Sequence, residues 1–276
     1  MFYHKKELQF EAKPEKPNPL IAKYLQELIG GQYGEMSVAM QYLFQGWSCR
    51  GEEKYKDMLM DVATEEIGHV EMLATMVARL LDDAPVEDQE KAMAKDPAIA
   101  AVIAGMNPQH AIVAGLGPRP ADSVGNPWSG GYIVASGNLL ADFRANLNAE
   151  SQGRLQVSRI YEMIDDRGVK DLLAVLLARD SYHQNLWACA VKELEEAEGS
   201  ILVPSTFPRE KERLDIAYDF YNLSEGEDSK KGSWAKGTAL DGQGEYNYVA
   251  KPEPEAEAPK LKPAAPAMHG TPPMKK

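Results

Sequence analysis

The sequence predicts an all-α protein: a four-helix bundle with a long crossover between its second and third helices and an extended C-terminal arm. Three observations predict it. Long proline-free segments, such as Gly51 to Ala84, carry apolar residues near the 3.6-residue helical period. A stretch rich in proline and glycine, residues 85 to 136, separates two such segments from two more. Only Arg167-Gly168 interrupts the later pair, and a tight turn there makes them antiparallel neighbours.

Residues 1–18 are charged, hold Pro14 and Pro17, and read as an extended arm. Asn18-Pro19 is a helix start, with Asn18 as cap and Pro19 in the first turn. The first helix is expected to run unbroken from Pro19 to Cys49, locally weakened by Gly30, Gly31 and Gly34. The second spans about Glu52 to Leu81, with Met58, Val62, Ile67, Val70, Leu73 and Val77 as its apolar stripe. A short helix near Pro97–Ala104 interrupts the crossover. The third spans Gly137 to Asp166, with Gly168 expected as its left-handed cap. The fourth runs from Val169 to Glu198 and stops at Gly199. The bundle domain is thus 19–199. Residues 200–250 form an irregular arm that packs on the bundle or on a neighbouring subunit. Residues 251–276, with seven prolines, form a disordered tail.

Composition narrows the function. The chain has 276 residues and is 44% hydrophobic, enough for one large core. A net charge of -12 argues against non-specific binding to nucleic acid or an anionic membrane. The sequence has no apolar run of about 20 residues, the length that crosses a bilayer. Cys49 and Cys189 fit no metal or redox spacing and read as reduced thiols of a cytoplasmic protein. Spore or coat association is the alternative location.

Each predicted long helix carries a candidate metal ligand near its middle. The first offers Glu35 in an otherwise nearly uncharged stretch. The second offers Glu66 and His69, one turn apart on one face. The third offers Glu150, and the fourth His183 with Asp180 three residues before it. Each alone also reads as an ordinary surface Glu or core His, and Glu65 as a solvated neighbour whose change to Gln is mild. Their coincidence, with two of only five histidines so placed, is the pattern of a ferritin-like bundle with a dimetal centre. Carboxylate with imidazole suits manganese or iron, and Asp180, one methylene short, falls behind the ligands.

Gly31-Gln-Tyr-Gly-Glu35-Met-Ser37, Ala63-Thr-Glu-Glu66-Ile-Gly-His69-Val-Glu71, Glu150 and His183 together resemble the manganese catalases over roughly residues 1 to 250. The resemblance implies a homohexamer holding two manganese ions per subunit and disproportionating hydrogen peroxide to oxygen and water. It assigns Glu35 and His69 to one ion, Glu150 and His183 to the other, and Glu66 to the bridge. Tyr42 matches a tyrosine behind the ligands, or is a core tyrosine. The catalytic candidates are Glu35, Glu66, Glu150, Asp180 and Tyr42, with Glu35 or Asp180 as proton shuttle. Asp180 stands where the family commonly has Glu, and Ala149 where one branch has Arg, so hydrogen bonds behind the ligands differ. A ferritin-like di-iron oxidase or iron store, and a coat protein retaining the fold, are the alternatives.

Asp57 and Asp61 stand four apart on one helix face, and like charges so placed repel unless a cation lies between them. With Asn222, Ser224 and Gly226 of the arm they supply five oxygens, a calcium set that the resemblance supports. A solvated acidic face and a polar loop are the plainer alternative.

Overall fold

The computed structural model describes residues 3–82, 108–262 and 265–269. The chain divides into two compact units, Met1–Ser205 and Thr206–Lys276.

In the first unit, α1 (Pro19–Gly30) starts where the sequence places it: the Asn18 carboxamide oxygen accepts from the Leu20 and Ile21 amides at 3.0 and 3.2 Å. The expected unbroken first helix is corrected. It ends at Gly30, and a second helix, α2 (Glu35–Ser48), begins after a four-residue turn. Backbone packing explains the break. A Cβ on Gly30 would lie 2.4 Å from the Ala121 backbone, and one on Gly34 would lie 2.7 Å from the Leu28 carbonyl. The glycines permit a close approach that only a distant loop reveals. As a result Glu35 opens a helix, where the N-terminal end of the helix dipole favours a carboxylate.

Helix α3 (Glu53–Leu81) is unbroken over 29 residues. The short helix expected near Pro97–Ala104 lies outside the described residues. The later part of the crossover holds α4 (Pro108–Ile112) and a strap tied to the helices by glutamines. Gln26 donates to the carbonyls of Arg119 and Ala121 at 2.5 and 2.7 Å. Gln41 accepts from the Val134 amide at 2.8 Å, and Gln45 donates to its carbonyl at 2.7 Å.

Helix α5 (Leu139–Met163) is capped by Asn138, and α6 (Arg167–Glu198) by Asp166. This corrects the cap assigned to Gly168. Asp166 accepts from the Val169 amide at 3.0 Å and from the Glu15 amide at 3.0 and 3.2 Å, so the helix starts there. Gly168 sits in its first turn, where the Lys13 carbonyl would be 1.9 Å from a Cβ. Gly199, with φ 68°, ends α6 in the left-handed conformation.

Helices α5 and α6 pack along each other, as do α2 and α3, with α1 on α3. Two apolar clusters result. One gathers Leu25, Leu28, Met72, Leu73, Val157, Ile160, Leu172 and Leu173. The other gathers Tyr42, Leu59, Val62, Phe143, Trp187 and Leu194. On each of α3, α5 and α6, and across the α1–α2 turn, the same short interval falls between the clusters. That interval is polar.

The second unit is not wholly irregular. Strand β1 (Asp219–Tyr221) pairs in parallel with β3 (Glu245–Val249), and β2 (Gly237–Thr238) pairs antiparallel to β3. Phe220 and Tyr248 stack at 5.8 Å. A single helical turn, α7 (Pro266–His269), stands near the end. Among the described residues no helix is long and apolar enough to cross a membrane.

Candidate metal centre

The polar interval holds Glu35 from α2, Glu66 and His69 from α3, Glu150 from α5, and Asp180 and His183 from α6, all buried. Both histidines are 0% exposed and Glu66 is 1% exposed. Charges so deep are costly unless paired or bound to a cation.

Their donor atoms form two overlapping sets. Glu35, Glu66 and His69 make one, and Glu66, Glu150 and His183 the other, each with its atoms within 4.8 Å of one another. Glu66 belongs to both. Its Oε2 lies 2.6 Å from His69 Nδ1, and its Oε1 lies 2.8 Å from His183 Nδ1. Glu35 and Glu150 each approach the nearer imidazole Nδ1 at 3.6 Å. The second contact of Glu66 lacks hydrogen-bond geometry, so Glu66 Oε1 and His183 Nδ1 are buried polar atoms without a partner. Unsatisfied donors and acceptors facing one point, in a cluster with excess negative charge, fit a pair of cations. Three carboxylates and two imidazoles suit manganese or iron.

The titration of the protein groups alone shows the same strain. Burial, and then the Glu66 charge, push the Glu35 carboxyl well above its usual range. Glu150 is raised by the same two causes. Burial also opposes ionisation of Glu66, but the two imidazoles outweigh it and hold it low. His183 is pushed up to about 12: burial disfavours its charge, and the carboxylates of Glu150, Glu65 and Glu66 around the ring overcome that.

Behind the sets stand further groups. The Tyr42 hydroxyl donates to Glu150 Oε1 at 2.5 Å. Asp180 is in neither set, and its Oδ2 has no hydrogen-bond partner. Burial first, then the charges of Glu150 and Glu66, raise its carboxyl to about 8. With Glu35, Tyr33, Ala149, Glu150 and Gly153 it lines a pocket with about 10 Å³ of space for a water-sized molecule, roughly one water.

Glu65 corrects an expectation. It is not a solvated neighbour. Its carboxylate takes a two-pronged contact from Arg179 of α6, through Nε to Oε1 and through Nη2 to Oε2 at 3.1 Å. The same two oxygens face the Nε2 atoms of His69 and His183, at 3.6 and 3.3 Å. The sequence carried a signal for this: Glu65 precedes His69 by four residues, and Arg179 precedes His183 by four, one helical turn in each case.

Of the calcium candidates, Asp57 and Asp61 are exposed on α3 in the first unit. Asn222, Ser224 and Gly226 follow β1 in the second. In the amide orientation that satisfies its neighbours, the Asn222 side-chain nitrogen donates to the Ser224 and Gly226 carbonyls at 3.1 Å, and its oxygen accepts from the Tyr248 hydroxyl at 3.1 Å.

The family model of manganese-containing catalases matches residues 1–276. A manganese catalase of Bacillus subtilis is 62% identical over 271 residues, covering 98% of each chain. One from Lactiplantibacillus plantarum is 44% identical over 269 residues, again covering 98% of each. Among solved structures, KatB, a manganese catalase from Anabaena PCC7120, superposes with a TM-score of 0.70 at 29% identity, covering 91% of this chain and 100% of that one.

Proposed function

The chain belongs to the manganese-containing catalase family, and from that premise we propose how its residues carry the reaction. The activity is the disproportionation of hydrogen peroxide to oxygen and water. Glu35 with His69, and Glu150 with His183, would each hold one manganese ion, and Glu66 would be shared between the two. The observation that supports this is the sharing of Glu66 between two three-residue donor sets. Two bound manganese ions, each changing by one electron, supply the two-electron store that both half-reactions need.

The protein groups do the rest. Tyr42 donates to Glu150 Oε1, the oxygen that also lies 3.6 Å from His183 Nδ1, and so fixes the direction in which that carboxylate faces. Asp180 and Glu35 face the pocket beside the bridge. The Asp180 carboxyl, which is not among the ligands and is raised by burial and by the charges of Glu150 and Glu66, can give a proton to the departing water and recover one from the next peroxide. Ala149 and Gly153 keep that pocket open but small. Metal analysis and oxygen evolution on protein produced with added manganese test the proposal. The expected result is two manganese per chain with activity, and loss of both in His183→Ala. Full activity of His183→Ala would remove α6 from the centre.

Calcium, homohexameric assembly and an intracellular location belong to the same proposal. Asp57, Asp61, Asn222, Ser224 and Gly226 are the calcium ligands, and their oxygen chemistry supports it. Selective removal of calcium with manganese retained should lower the melting temperature and loosen assembly. Asp57→Ala should abolish that response. An unchanged melting curve and mass would refute both calcium and its role in assembly.

A further inference from the structure

We propose that Glu65, held by Arg179, is the positioning residue that sets the tautomer of both ligand imidazoles at once. The proposal rests on the dimetal reading above.

Each oxygen of the Glu65 carboxylate meets two donors. Oε1 faces Arg179 Nε and His69 Nε2, and Oε2 faces Arg179 Nη2 and His183 Nε2. His69 Nε2 is buried and has no hydrogen-bond partner, so the Glu65 oxygen 3.6 Å away is the acceptor it addresses. An ionised carboxylate only accepts. Facing it, each ring with an ion bound would keep its one proton on Nε2 and give its Nδ1 lone pair to the metal side. There Nδ1 of His69 meets Glu66 and Glu35, and Nδ1 of His183 meets Glu66 and Glu150. A carboxylate behind a ligating histidine ordinarily serves one ring. Here one carboxylate serves two rings from two helices, and the Arg179 fork keeps it symmetric between them.

A distinctive consequence follows from the chemistry of an amide. Gln at position 65 has one accepting oxygen and one donating nitrogen. The oxygen still satisfies one ring. The nitrogen confronts the Nε2–H of the other, which relieves the clash only by moving its proton to Nδ1, the atom the metal needs. Glu65→Gln therefore disables one metal position and spares the other. Glu65→Ala leaves room for water, which accepts from both rings, so both positions weaken alike. Glu65→Asp keeps two acceptors and restores both.

The experiment equilibrates the full-length protein and the three variants in graded free Mn2+, measuring manganese per chain and the electron paramagnetic resonance spectrum. Wild type should bind two ions with the spectrum of a coupled pair. Glu65→Gln should fill one position normally and need ~10-fold more free Mn2+ for the second. At the wild-type saturating concentration it should show the six-line signal of isolated Mn2+. Glu65→Ala should weaken both positions by a common factor, and Glu65→Asp should regain the coupled spectrum. If Glu65→Gln binds two ions like the wild type, or weakens both positions as Glu65→Ala does, the tautomer role is wrong while the dimetal reading stands. If Glu65→Asp matches Glu65→Gln, it is wrong as well. A wild type that binds fewer than two ions would overturn both.

Discussion

Along α3, Leu59 to Ala63 and Met72 to Leu81 bury apolar side chains against apolar neighbours, whereas the stretch between them, from Glu65 to His69, sets charge against charge. The same contrast recurs on α5 and α6. The apolar ends gain free energy from every buried methylene. The middle holds carboxylates that desolvation and mutual repulsion work against. The ends therefore hold the helices in a register that forces the middle together, and the middle offers cations what the protein alone cannot satisfy. Stability and function are separated along one axis of the same helices.

Substitutions in the two regions should have separable effects. The largest is expected from Glu66→Gln, because the shared carboxylate serves both donor sets. Oxygen evolution should fall at least ~100-fold, since losing a ligand exceeds the loss of a supporting group. Manganese should fall at both positions, measured by metal analysis. If one manganese remains fully bound, Glu66 is not the bridge. Leu173→Ala, in the fully buried apolar cluster, should act in the opposite way. It should remove ~2–5 kcal/mol of unfolding free energy by opening a cavity, with two manganese per chain retained. Denaturant titration alongside metal analysis checks it, and lost manganese in the folded variant would blur the division.

The smallest effect concerns Asp180. Its folded carboxyl is raised from 3.8 to about 8, first by burial and then by Glu150 and Glu66. A carboxyl raised on folding leaves stability intact below the unfolded value and erodes it as pH climbs toward the folded one. Asp180→Asn should thus raise the melting temperature of the manganese-free protein, and the gap over wild type should widen between about pH 4 and pH 8. A gap that narrows over that range would contradict the burial argument. Oxygen evolution should fall in the same variant.

Much of this was legible in the sequence. Glu35, Glu66, His69, Glu150 and His183 stand where helical spacing puts a polar residue on an otherwise apolar face. That is a local pattern, and local patterns can be read. The break after Gly30 was not legible because its cause is Ala121, which arrives from the far side of the crossover. Glycines there read as weakness in a helix rather than as room for another backbone. Gly168 misled for a related reason: glycine after a helix suggests a stop, but Asp166 just before it carries the stronger signal of a start. Glu65 was misjudged because helix α3 alone cannot say what faces it. Arg179 and His183 come from α6, and only tertiary register makes Glu65 a partner of two imidazoles.

The burial of the two histidines also has a kinetic side. A solute much larger than the water-sized pocket beside the centre, such as a chelator, reaches a side chain that is 0% exposed only through some opening of the four helices around it. Residence of a bound ion is then governed by how often the bundle breathes, not by affinity alone. Manganese should leave to an excess of strong chelator at a rate that hardly varies with chelator concentration and that climbs steeply with temperature, as unfolding does. Loading meets the same gate, so it is easiest while the chain is still closing around its ligands, and the finished protein behaves less like an open coordination site than like a sealed one.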